Sequence, residues 1–190
     1  TAGDLISVTT NWSTHSGTTA VGYAITSLSM TGYGSSGVGG SATFTGTNSQ
    51  DVNRPFTQQT SGVVYTAFLV NMCNTSSSGN YFFHLRQASG SFYGRIFTKQ
   101  SSTDKMYFGV SNTSTASWGT TEYDCNSTYI VVMKYEFVAG TANDIVSLFV
   151  LDAIASSEPG TPEVVYTSSS DANDLNQVAI RQSSGVGDGT

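Results

Sequence analysis

Charge is scarce in this sequence. Asp, Glu, Lys and Arg together make up 11% of its 190 residues, where ordinary soluble domains carry roughly 25%. Lys and Arg number seven, spread singly along the chain, against thirteen Asp and Glu. A protein without a basic stripe and with net charge −6 is poorly suited to neutralise phosphates, so nucleic acid is excluded as an expected partner. Long apolar runs are also absent. Nothing approaches the ~20 residues that a membrane-spanning helix needs, and membrane insertion is not expected. Only two histidines, His15 and His84, are present to serve as a general base, and no G-x-S-x-G elbow accompanies them. The two cysteines form no C-x-x-C motif, which leaves no zinc spacing.

Ser, Thr, Gly and Asn fill the space left by charge. With 12% aromatic residues the chain is too rich in core material to be disordered. Its length predicts one domain over residues 1–190 with a substantial core. Cys73 ends the strand-like "VVYTAFLVNM" and Cys125 precedes the strand-like "TYIVVMKYEF". In an antiparallel pair the end of one strand lies beside the start of its neighbour. A disulfide is therefore expected in an oxidising compartment, worth about 4 kcal/mol for a loop of this size, with a reduced pair as the intracellular alternative. The start at Thr1, without an initiator Met, raises the expectation of a removed leader.

Strand periodicity runs through the chain and no segment reads as a helix. Val64, Phe68, Val70 and Met72 share one face, as do Tyr129, Val131, Met133, Tyr135 and Phe137. "DIVSLFVL" is apolar on both faces apart from Ser147, the pattern of a covered central strand. Residues 80–112 read as a three-stranded meander with short turns. Strict alternation puts Tyr81, Phe83, Leu85, Phe92, Ile96, Met106, Phe108 and Val110 on its core face. Phe82, His84, Arg86, Tyr93, Arg95, Phe97, Lys99 and Tyr107 then form an outer face. "SQDVNRPFTQQTSG" reads as a loop ordered by an Asp51–Arg54 pair, and residues 154–174 as a long connection with a short strand at Val164–Tyr166. Many strands and frequent turns predict an all-β fold, a two-sheet antiparallel jelly-roll β-sandwich.

The ordered series "GYGSSGVGGSATFTG", "QDVNRPF", "SGVVYTAFLVNM", "GNYFFHLR", "FYGRIFTK", "MYFGVSN", "TYIVVMKYEF", "DIVSLFVL", "EP" and "LNQVAIRQ" spans nearly the whole chain. It resembles the concanavalin-like, laminin-G-like jelly-roll module of secreted bacterial multidomain proteins, the type that often precedes a secretion-sorting tail. That resemblance implies an extracellular location, with any catalysis residing in neighbouring domains. It also implies one further strand after "VAIRQ", of which "SSGVGDGT" holds only the turn. A sheet lacking that strand is expected to present an open edge, which invites other copies of the chain.

No set of carboxylates shows the alternating E-x-D-x-x-E spacing of a jelly-roll hydrolase. Glu122, Glu136, Glu158 and Glu163 are scattered and read as solvated. No catalytic residue is expected, so the chain is read as a non-catalytic extracellular structural or adhesion module, with a self-assembling surface or filament subunit as its sharper form. The alternative is a carbohydrate-binding module, since His84, Arg86, Tyr93, Arg95 and Tyr107 would combine aromatic platforms with hydrogen-bonding groups on the outer meander face. Its partners would be copies of itself, cell-surface polymers or glycans. No cofactor is expected. Calcium is the one metal with candidate ligands, Asp171, Asn173, Asp174 and Asn176 in "SDANDLN", but Leu175 breaks the EF-hand spacing, and turn capping explains the same residues.

Overall fold

A computed structural model describes residues 2–190. In chain order the first elements are β1 (Gly3–Asp4), α1 (Leu5–Val8), β2 (Ser13–Ser16), β3 (Gly22–Ala24) and β4 (Ser41–Thr43). The long strands follow as β5 (Asp51–Gln59), β6 (Gly62–Cys73), β7 (Asn80–Arg86), β8 (Phe92–Ser102) and β9 (Lys105–Ser111). Next come β10 (Ser117–Trp118), β11 (Tyr123–Asp124), β12 (Thr128–Phe137) and β13 (Ile145–Leu151). The chain closes with β14 (Val164–Thr167), β15 (Leu175–Arg181) and β16 (Asp188–Gly189).

The fold is an all-β sandwich with antiparallel pairing throughout. An eight-stranded sheet runs β10-β9-β8-β7-β15-β5-β2, with β11 beside β9. It faces a five-stranded sheet ordered β14-β13-β12-β6-β16. Leu85, Ile96, Met106 and Phe108 from the larger sheet and Val70, Val131, Met133, Tyr135 and Leu148 from the smaller one share a single core. A small third sheet, β1-β3-β4, lies at one end, near a second cluster of Leu5, Val21 and Val52.

Alternation places β6, β12, β13 and β14 as expected, with Val131, Met133 and Tyr135 fully buried. The meander departs from it. Tyr81 pairs with Phe97 and Phe83 with Ile96, so β7 carries one extra residue at Phe82. Phe83 pairs with Ile96 and Leu85 with Tyr93, so β8 carries one extra residue at Gly94, whose φ is +51°. Each is a β-bulge, and each reverses which face the preceding residues occupy. Phe82 and Tyr93 consequently turn into the core, while Tyr81 and Phe92 turn out. Phe82 stacks on Phe44 with ring centroids 5.8 Å apart.

Three segments differ from the sequence reading. "DVNRPFTQQ" is strand β5 rather than a loop. β2 covers β5 only at residues 51–53, leaving Pro55 on an open edge beside the register shift between Leu175 and Gln177, where a missing N–H costs little. Asp51 does not pair with Arg54; it accepts from Ser16 Oγ at 2.8 Å and from the Gln182 N–H at 3.2 Å. Leu5–Val8 form one helical turn, with Asp4 accepting from the Ile6 N–H at 3.1 Å and Leu5 buried.

The closing "SSGVGDGT" is not a free turn. Asp188 and Gly189 pair with Cys73 and Met72, and Thr190 exchanges two 2.9 Å backbone hydrogen bonds with Asn71. Beside this pairing Cys73 and Cys125 form the expected disulfide, with Cα atoms 4.8 Å apart across 52 residues of sequence. No helix among the described residues is long and apolar enough to cross a membrane. Replacing both cysteines by serine should cost about 2–5 kcal/mol of stability, read as a lowered midpoint in guanidinium unfolding. An unchanged midpoint would show that the β6 end is held without the bond.

Candidate functional site

The outer face of the larger sheet gathers cationic and aromatic side chains that are distant in sequence. β15 lies between β7 and β5, so Ala179 pairs with both His84 and Asn53. Ala179 presents only a methyl group to this row. His84 is fully buried between Phe92, 4.2 Å away by ring centroid, Tyr81 at 5.6 Å and His15 at 5.8 Å. Three guanidinium groups surround these rings. Arg181 lies 4.2 Å and Arg95 5.0 Å from the Tyr81 centroid, and Arg86 lies 5.5 Å from that of Phe92. Such contacts stabilise a cation while leaving its N–H groups free to bond elsewhere.

The hydrogen bonds within the cluster are few and involve neutral acceptors. Arg86 Nη1 and Asn53 Nδ2 both donate to Gln177 Oε1, at 2.8 and 2.9 Å. Arg181 Nη1 donates to Asn80 Oδ1 at 3.0 Å and to the Tyr81 carbonyl at 3.3 Å. Both nitrogens of His84 and the Nε atoms of Arg86 and Arg95 are buried without a partner. Burial holds the His84 pKa well below its ordinary value, reinforced by His15 and the three arginines. His15 is lowered too, by burial and Arg86 acting against Asp51.

Of the five residues expected on this face, His84, Arg86 and Arg95 meet here. Tyr93 does not; the Gly94 bulge directs it inward against Tyr135, with centroids 6.5 Å apart. Tyr107 faces outward but belongs to a separate group, where Lys99 Nζ sits 4.5 Å from the Trp118 ring and 5.4 Å from that of Tyr107. Tyr81, Phe92, His15 and Arg181 complete the cluster. Arg181 and His15 arrive on strands far away in sequence, and no local pattern signals that β15 and β2 belong to this sheet.

Several other acidic residues are engaged elsewhere. Asp171 Oδ1 accepts from the Asn143 and Asp144 N–H groups, each at 2.9 Å, and Asp174 Oδ1 from the Ala88 N–H at 2.9 Å. These two therefore cap neighbouring loops, and no group of three or more His, Cys, Asp or Glu able to hold a metal ion occurs among the described residues. The glutamates are less scattered than their sequence positions imply. Glu136 and Glu158 converge on Lys134 Nζ at 3.3 and 3.2 Å, and Glu163 accepts from Tyr123 Oη at 2.9 Å. Hydrogen bonds from Tyr65 and Lys134 hold the Glu158 pKa below its ordinary value, the opposite of what a glycosidase general acid requires.

A second feature lies between the sheets. β12 pairs with β6 from Gly62 to Asn71, but on the other side of β6 only Asn71, Met72 and Cys73 have partners. Residues 62–70 are an open edge among the described residues. Beside it is an apolar cleft of about 540 Å³, lined by Thr66, Phe68, Val70, Val178, Ile180 and Phe44 among others. Thr66 Oγ1 is buried there without a partner.

No family model and no curated protein matches the sequence. Among solved structures, the chain is similar to a protein of unknown function from Shewanella oneidensis MR-1 at 14% identity and TM-score 0.42, over 99% of this chain and 81% of that one. It is also similar to a glycosyl hydrolase family protein from Mycobacterium fortuitum at 11% identity and TM-score 0.42, over 96% and 89% of the two chains.

The histidine cluster makes stability depend on pH. A folded-state His pKa below the ordinary 6.5 means that the unfolded chain binds more protons below that pH. Stability is therefore complete above pH 6.5 and declines as pH falls through 6.5 toward the folded values. The melting temperature should drop between pH 7.5 and 5, with a shallower slope in His84→Gln. Equal slopes in the two proteins would show that His84 is not buried as a neutral ring.

Proposed function

We propose that this chain is a non-catalytic extracellular structural module of the concanavalin-like jelly-roll kind, which associates with other copies of itself through the edge of β6. One observation carries this reading: residues 62–70 of β6 lack a strand partner while an apolar cleft opens beside them. Unpaired edges are sites of strand addition, in which backbone hydrogen bonds supply affinity and side-chain slots supply specificity. An incoming strand antiparallel to β6 would extend the pairing begun by Asp188 and Gly189. Its alternate side chains would enter the cleft at Thr66 and Phe68. The disulfide supports an oxidising location, and the lowered pKa of Glu158 is the opposite of what a hydrolase's general acid requires.

Light scattering over a wide concentration range tests the association. The wild-type protein should form dimers or longer assemblies, and Thr66→Arg, which fills the cleft mouth, should remain monomeric with an unchanged far-UV spectrum. A wild-type protein that stays strictly monomeric at millimolar concentration rules the reading out.

A second reading, carbohydrate binding on the outer face of the 80–112 strands, is favoured by the Tyr81–Phe92–His84 cluster. Half-buried Tyr81 and Phe92 offer stacking surfaces beside the half-buried guanidinium groups of Arg86, Arg95 and Arg181. Tyr81→Ala should remove retention on a glycan array, and unchanged retention removes this face from consideration.

A further inference from the structure

The charge on the outer face is out of keeping with the rest of the molecule. Lys and Arg are outnumbered seven to thirteen by Asp and Glu, yet Arg86, Arg95 and Arg181 converge on two rings with both histidines beside them. None of the three arginines has a carboxylate within 4.0 Å among the described residues. Asp51 is the carboxylate at the cluster's margin, and it is already committed to Ser16 Oγ and the Gln182 N–H, with His15 Nε2 3.9 Å away. The interactions the arginines do make are with amide oxygens, a backbone carbonyl and ring faces.

Gathering unneutralised cations is unfavourable twice over, through mutual repulsion and through loss of water around each one. Arg95 shows the second cost directly: burial lowers its pKa, and its Nε–H has no acceptor. A fold with thirteen acidic residues could have placed one here. What the cluster lacks is acceptors. A guanidinium is donor-only, and the three of them outnumber the single acceptor that the neutral, fully buried ring of His84 carries beside its one donor. A ligand that completes the set must bring negatively charged oxygens in a flat or forked arrangement, as a carboxylate or sulfate does.

We propose that this face binds an acidic sugar, taking its carboxylate or sulfate ester among the half-buried guanidinium groups of Arg86, Arg95 and Arg181 and setting its ring against the half-buried rings of Tyr81 and Phe92. The proposal rests on the ligand-binding reading of this face and fixes the ligand's charge, which that reading leaves open. A discrete acid group on a saccharide suits the site better than a nucleic acid. With seven Lys and Arg in the whole chain there is no basic stripe to track the successive phosphates of a nucleic acid, and the interleaved rings suit sugar faces.

Affinity electrophoresis in gels carrying polygalacturonate, dextran sulfate, neutral dextran or single-stranded DNA tests the proposal on the intact protein. The expected result is retardation by at least one acidic polysaccharide, reduced by added salt. In Arg95→Gln and Arg181→Gln it should weaken about tenfold or more, the size of one lost charge-assisted hydrogen bond. Thermal unfolding identifies any variant that fails to fold, and the other then carries the test. Retardation by neutral dextran alone would keep the sugar-binding reading and overturn this one. Stronger retardation by DNA than by either acidic polysaccharide overturns the sugar assignment. Unchanged binding in both folded variants, or no retardation by either acidic polymer, overturns the site itself.

Discussion

The outer face and the core both depend on one hydrogen bond, from the Gly94 N–H to Asn112 Oδ1 at 2.8 Å. It holds the extra residue of β8 in a left-handed conformation in which its amide points away from the ladder. A Cβ at this position would lie 2.9 Å from Met133 Cε and 3.2 Å from Leu85 Cδ1, so the bulge is also packed against both sheets. Its consequence is a change of phase. Phe92 and Arg95 are three residues apart, a spacing that an unbroken strand would put on opposite faces. The bulge puts both outside and releases Tyr93 to the core. Tyr81 and His84 are likewise three apart, and the bulge at Phe82 brings them to the same face. Two bulges on adjacent strands cancel in register, so Leu85 still meets Tyr93 and the sheet continues.

Asn112 is held in turn from the opposite sheet. Its Nδ2 donates to Tyr135 Oη at 3.4 Å, and Tyr135 donates to Asp144 Oδ2 at 2.6 Å. Asp144 is buried and also accepts from the Val138 N–H at 2.8 Å and the Ala172 N–H at 3.2 Å. Burial, with the Asp144 bond, pushes the Tyr135 phenol far above its ordinary pKa, so it remains a donor at all working pH values. A buried polar chain of this kind is tolerable only when each member is satisfied, and here each one is partnered. The contrast with the outer face is informative. The same protein that pairs Tyr135, Asp144 and Asn112 inside its core leaves donors on His84, Arg86 and Arg95 unmatched outside it.

Regular alternation was legible wherever strands are regular. The faces of β6, β12 and β13 follow from residue order, as does the pairing of Cys73 with Cys125. Bulges were not legible, because "NYFFHLR" and "FYGRIF" alternate plausibly in either phase. Only the neighbouring Asn112 and Met133 decide between the phases, and their proximity to Gly94 is a tertiary fact. The strand that contains Pro55 was hidden in a similar way. Proline argues against a strand only where the strand has neighbours on both sides, and strand order is not written locally. The same limit explains the site. His84, Arg86 and Arg95 could be assembled from one meander, whereas Arg181 and His15 required knowing that β15 inserts between β7 and β5 and that β2 follows.

The two surfaces with unmet bonding capacity belong to different sheets. The open length of β6 lies in the smaller sheet, while the arginine cluster spans β7, β8 and β15 of the larger one. A strand added along β6 extends the smaller sheet in its own plane and leaves the outer side of the larger sheet exposed. Association and ligand binding are therefore compatible in geometry. As proposed, the two would also reinforce each other in energy. A single shallow face engages a ligand weakly, but copies joined edge to edge would present the same face repeatedly, and a polymeric ligand would meet the second copy at high effective concentration. Each added copy would then raise the affinity for a polymeric ligand without any new contact within a single outer face.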